Sequence, residues 1–148
     1  MAQAKRRIIA NVDRLHRLMD RDGFSALVIR SGKNFTYLAG LSLPGTLARH
    51  LDFPDSPRGP LLLWPREGEP VMLLDHIAAP LARRDSWLRQ IEVLDTYSGS
   101  RYEKVAQLLT SMRLDDSKIG FEKSYVSAVS WEEVHHLLPR ATIADCAS

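Results

Sequence analysis

Asn34-Phe35-Thr36-Tyr37-Leu38-Ala39-Gly40 stands just after a nearly unbroken apolar run, Phe24-Ser25-Ala26-Leu27-Val28-Ile29, and the two together decide how the chain is read. An apolar run of this length with no polar alternation predicts a strand covered on both faces, at the centre of an α/β layer architecture. In the segment that follows, Phe35 reads as core and Tyr37 as a buried ring with its hydroxyl tied. Gly40 reads as a position that needs positive φ or close backbone approach.

Upstream, Ile8, Val12, Leu15 and Met19 recur at helical spacing, with Ile9 and Leu18 widening the stripe. This predicts an amphipathic helix over residues 3–22, ended by Gly23 as a left-handed cap. Downstream, residues 61–64 and 71–74 predict two strands joined by Pro65-Arg66-Glu67-Gly68-Glu69-Pro70, a loop suited to an antiparallel hairpin. Pro80 places a helix start near Ala78 or Ala79, because proline is tolerated only in the first turn. Residues 91–94, 118–122 and 141–146 complete the strands. Ser100-Arg101-Tyr102-Glu103 and Ser130-Trp131-Glu132-Glu133 read as capping boxes opening two further helices, the second stopped by Pro139.

At 148 residues the chain is sized for one domain. Hydrophobic residues make up 45% and charged residues 26%, ordinary values that point to neither disorder nor a membrane span. Twenty basic residues stand against 18 acidic ones with the signs interspersed, which argues against a nucleic-acid surface. A lone cysteine, Cys146, and the absence of an apolar leader predict a cytoplasmic protein, with Cys146 a half-buried structural thiol.

The sequence carries little recognisable catalytic chemistry. Gly32-Lys33 lacks the upstream glycine and the following Ser or Thr of a phosphate loop, and no Gly-x-Ser-x-Gly elbow is present. Glu132, His135 and His136 share one helix without the second pairing a metal site requires, so no residue is assigned as a metal ligand or a catalyst. His16 is read on the exposed side of the first helix, and His76 after a strand end. The long irregular stretch 41–59, with three prolines and two glycines, is the candidate working surface, and Arg49 and His50 within it are the candidate substrate-binding residues. A guanidinium grips a carboxylate through two parallel hydrogen bonds, and an adjacent imidazole adds a donor.

The ordered set of Asp22-Gly23-Phe24-Ser25-Ala26-Leu27-Val28-Ile29, then Asn34 to Gly40, a loop with Arg49, the two strands 61–64 and 71–74, Lys118-Ile119-Gly120-Phe121-Glu122 and Leu137-Leu138-Pro139 resembles the amino-terminal domain of the creatinase, prolidase and aminopeptidase P family. The resemblance covers nearly the whole chain. It implies a ribonuclease-H-like three-layer α/β domain with a mixed, mainly parallel sheet of five to six strands flanked by helices. It also implies a following pita-bread catalytic domain holding two divalent ions (Mn, Co or Zn) through two Asp, one His and two Glu. That domain is expected beyond Ser148, so residues 1–148 are expected to form a domain inactive by itself within a longer metallohydrolase. There it would cover the active-site cleft and mediate homodimer contacts, with a peptide or small molecule as substrate and no nucleic acid or membrane as partner. Two other readings stand beside it: a protein- or peptide-binding module of the same architecture without catalysis, and a stand-alone small-molecule-binding α/β domain.

Overall fold

The structure, a computed structural model, describes residues 8–42, 59–95 and 99–147. Its six strands are β1 (Ala26–Arg30), β2 (Leu61–Pro65), β3 (Val71–Asp75), β4 (Gln90–Leu94), β5 (Lys118–Phe121) and β6 (Thr142–Asp145). They form one sheet in the order β4-β3-β2-β1-β5-β6. β1 pairs antiparallel with β2, and β2 with β3, whereas β1–β5, β3–β4 and β5–β6 are parallel. β2 alone therefore runs against the other five, as the mixed, mainly parallel expectation required.

Side chains along β1 alternate between two cores. Leu27 and Ile29 join a cluster with Met19, Phe35, Leu38, Trp64 and Ala82, while Ala26 and Val28 join one with Val105, Leu109, Phe121 and Val134. Helices α1 (Val12–Asp22), α2 (Lys33–Ala39) and α3 (Ala79–Asp85) supply the first cluster, and α4 (Arg101–Ser111) and α5 (Ala128–Leu137) the second. The result is three layers, with every residue of Leu61–Pro65 and Val71–Asp75 buried. Each fully buried Leu or Met contributes on the order of 1.5–3 kcal/mol of transfer free energy, and this central burial dominates what holds the layers together.

Several local expectations are met for the reasons given. Gly23 caps α1 at φ 74°, Pro80 lies in the first turn of α3, and the two strands either side of Gly68 pair as a hairpin. Asp75 accepts the backbone N–H groups of Ile77 (3.0 Å) and Ala78 (2.8 Å), which closes the turn into α3. The segment Asn34 to Gly40 lies largely in α2, burying Phe35, Leu38 and Ala39. Gly40 ends that helix at φ 64°, and a Cβ placed on it would sit 3.2 Å from Trp87 Cδ1, so both reasons for a glycine apply at once.

Other expectations are corrected. Helix α1 starts at Val12 and not near residue 3: Asn11 accepts the N–H of Arg14 at 2.9 Å, and residues 8–10 are not helical. An asparagine side chain offers the backbone this cap in place of another helical turn. Ile8 and Ile9 are consequently exposed, at 51% and 58%, and do not widen the core stripe. Tyr37 is 46% exposed, so its ring is not buried, although its hydroxyl is tied as expected, accepting from Asn11 N–H at 2.8 Å. The second capping box is displaced: Ser127, not Ser130, caps α5 by accepting Ser130 N–H at 3.1 Å. At α4, Ser100 Oγ accepts from Tyr102 N–H at 3.1 Å. His16 is half-buried and not on an open face, because its Nε2 accepts the indole N–H of Trp64 at 3.2 Å.

Candidate functional site

Because β2 is reversed, the carboxyl ends of β1, β3, β4, β5 and β6 and the start of β2 share one edge of the sheet. In open α/β sheets ligands gather outside the carboxyl ends of the strands, which makes this edge the candidate site. Residues 41–59, the working surface expected from sequence, return to this edge at Gly59 and Pro60. Most of that stretch, with Arg49 and His50, lies outside the described residues.

Both ends of the stretch are held. On the outgoing side Leu41 is fully buried, Trp87 donates its indole N–H to Leu38 O at 2.8 Å, and Ser86 Oγ donates to Ala39 O at 2.5 Å. On the return, Arg101 Nη1 donates to Gly59 O at 2.6 Å and Ser31 N–H to Pro60 O at 3.0 Å. Arg101 is itself buried at the first position of α4, and its guanidinium also reaches the Tyr102 hydroxyl at 3.3 Å. Capping geometry alone had marked Arg101 only as an ordinary helix-start residue.

At the carboxyl edge lies a polar knot. Glu122, 4% exposed, follows β5, and the parallel pairing of β5 with β1 carries it to the end of β1. One carboxylate oxygen accepts the backbone N–H of Arg30 at 2.8 Å and the other the side-chain amide of Asn34 at 2.7 Å. The Arg30 guanidinium lies 3.5 Å from the ring centroid of Tyr125, within the distance at which a cation and an aromatic face attract. Ser31 Oγ has no hydrogen-bond partner among the described residues. A carboxylate closing an apolar strand, as in Lys118 to Glu122, was the available sequence signal for this knot, but only pairing across the sheet reveals its partners.

The remaining candidates do not assemble into reactive chemistry. His135 and His136 are exposed near the end of α5, with His135 Nδ1 2.7 Å from Trp131 O. His76 is exposed after β3. Burial, reinforced by the carboxylates of Glu122 and Asp145, pushes the Cys146 thiol up to about 12, so it is protonated at neutral pH and a poor nucleophile. Among the described residues no three of His, Cys, Asp and Glu converge as a metal ion would require. No described helix is long and apolar enough to cross a membrane.

The three layers around a mixed, mainly parallel sheet define a small α/β domain. Residues 11–148 match the Creatinase/Prolidase N-terminal domain, and the chain belongs to that family. Among solved structures it is similar to an X-Pro aminopeptidase from Thermotoga maritima (13% identity, TM-score 0.68), covering 93% of this chain and 33% of that one. A proline dipeptidase from Streptococcus pneumoniae aligns at 12% identity and TM-score 0.68 over 92% and 90% of the two chains. The Creatinase/Prolidase N-terminal domain of an X-Pro dipeptidase from Streptococcus pyogenes aligns at 14% identity and TM-score 0.67 over 91% and 92%. At these identities the likeness establishes the fold, and this chain spans about a third of the Thermotoga protein. No curated protein matches the sequence.

Proposed function

We propose that this chain is the non-catalytic amino-terminal domain of a Xaa-Pro peptidase or creatinase-like dinuclear metallohydrolase. In that protein it covers the active-site cleft of a following catalytic domain, which carries two divalent ions (Mn, Co or Zn), and it mediates contacts in a cytoplasmic homodimer. The observation that carries the reading is the family match over residues 11–148. Arg49 and His50 are the residues proposed to meet substrate in that cleft, Arg49 by gripping its carboxylate.

The reading is tested by assaying Xaa-Pro cleavage with manganese, cobalt or zinc, in residues 1–148 alone and in the polypeptide extended through the following coding sequence. Cleavage by the extended polypeptide only is the expected result. A downstream frame without the two Asp, one His and two Glu ligands, or turnover by residues 1–148 alone, defeats it. In the active extended form, Arg49→Ala should lower kcat/KM by about 10- to 100-fold, the loss of one charged hydrogen-bonded contact.

A further inference from the structure

Two polar rungs join α1 to β2, and they differ in chemistry. His16 and Asp20 stand one turn apart on α1, while Trp64 in β2 and Arg66 just beyond it stand two apart, so each pair shares a face. In the first rung His16 Nε2 accepts the indole N–H of Trp64 at 3.2 Å, with the two rings edge to face. In the second, Asp20 accepts Arg66 Nε at 2.7 Å and Nη2 at 3.0 Å. One is a hydrogen bond between uncharged rings and the other an ion pair.

The first rung exists in only one protonation state. An indole nitrogen donates and never accepts, so the His16 nitrogen facing it carries a lone pair and the ring proton sits on Nδ1. A protonated imidazole has an N–H at both nitrogens, and Trp64 would then meet donor with donor. Trp64 is 2% exposed and its indole N–H is shielded from solvent, whereas His16 is half-buried and open to proton exchange. Imidazole makes this change between about pH 5 and 8, a range in which the Asp20–Arg66 pair stays charged.

We propose that His16 is an acid-sensitive latch between α1 and the sheet: on protonation its ring releases Trp64 and turns toward Asp20, so the docking of the first helix loosens as pH falls. Asp20 is the destination because it lies one turn along the same helix face; the hydrogen bond from Arg66 chiefly holds its carboxyl below the usual range, and a charged His16 lowers it further. Asp13, exposed one turn back on α1, also favours the protonated ring. Arg17 on α1 and Arg66 from the hairpin loop oppose it by like charge. Behind Trp64 the next ring is the uncharged Trp87, at 6.2 Å between centroids.

Proton–nitrogen NMR of residues 1–148 between pH 8 and pH 5 tests it, with the Trp64 indole signal assigned through Trp64→Phe and His16 followed at its Cε1 proton. The Trp64 indole signal is expected to shift with the same midpoint as His16, and the backbone amides of α1 to lose protection several-fold at the acid end after allowance for the intrinsic exchange rate. His16→Gln keeps an acceptor that does not titrate, and should hold the indole signal and the α1 protection constant across the range. Trp64→Phe has no rung to break and should likewise remove the pH dependence of α1, which keeps the test decisive if His16→Gln does not fold. An indole signal that stays fixed while His16 titrates, a His16 that remains neutral down to pH 5, or an α1 pH dependence that survives in either variant overturns the latch.

Discussion

Glu122 accepts the backbone N–H of Arg30 at 2.8 Å although 92 positions separate them in the chain. Its other oxygen holds the Asn34 amide, so one buried carboxylate fastens the end of β1, the start of α2 and the end of β5 together. Glu122→Ala strands a buried backbone donor and a side-chain amide, and is expected to destabilise the domain by about 1–3 kcal/mol in a urea titration. A midpoint equal to wild type would mean the knot is not holding the edge.

Gly40 and Gly23 separate two effects that usually occur together. Both have positive φ, 64° and 74°, but only Gly40 has a neighbour within reach of an added methyl, Trp87 Cδ1 at 3.2 Å, whereas Gly23 has nothing within 4 Å. Gly23→Ala should cost about 1 kcal/mol, the left-handed backbone penalty alone. Gly40→Ala should cost more, because Trp87 must also shift while keeping its hydrogen bond to Leu38 O. Denaturation midpoints that ranked the two variants the other way would refute the account.

Trp64 is 2% exposed and donates its indole N–H to His16. Replacing His16 by Leu leaves that N–H without its acceptor and should cost about 1–3 kcal/mol, whereas Trp64→Phe in the same background should make the His16 substitution nearly neutral to the bond. A double-mutant cycle with zero coupling energy would show the contact contributes nothing.

Cys146 makes stability depend on alkaline pH. The folded thiol is pushed up to about 12 by burial and by Glu122 and Asp145, while an unfolded thiol ionises near ~8.5. The folded value is raised, so the stabilisation is complete below the unfolded value and is lost progressively as pH climbs toward the folded one. Cys146→Ala should flatten that alkaline slope. In the wild type at pH 8, iodoacetamide should label Cys146 slowly in buffer and readily in denaturant; equal rates would contradict the burial argument.

Much of the fold was legible in the residues. The doubly covered strand was marked by the unbroken run from Phe24 to Ile29, the helix ends by Gly23 and Pro80, and the hairpin by the apolar runs flanking Gly68, because each depends on backbone preference or side-chain period within a few positions. The misplacements have equally local causes. Asn11 takes the cap that a continued apolar period would have overrun, and two serines in one short stretch, Ser127 and Ser130, offer rival caps that the three-residue pattern cannot rank.

The candidate site was far less legible. Arg49 and His50 were chosen by residue type within a long irregular stretch, while the contacts found at the sheet edge involve Glu122, Arg30, Asn34 and Arg101. None of these was selected beforehand, since a charged residue at a strand or helix end is usually a solvated one.

The sequence by itself determined the element types, because hydrophobic period and turn chemistry act over a few neighbouring residues, and the order of its motifs carried the resemblance that implied the three-layer class and the family. Tertiary structure alone decided which polar groups meet at the carboxyl edge, that His16 faces Trp64 and that Tyr37 stays exposed. Those outcomes follow from strand order and register, which join residues scores of positions apart, and no local preference encodes them.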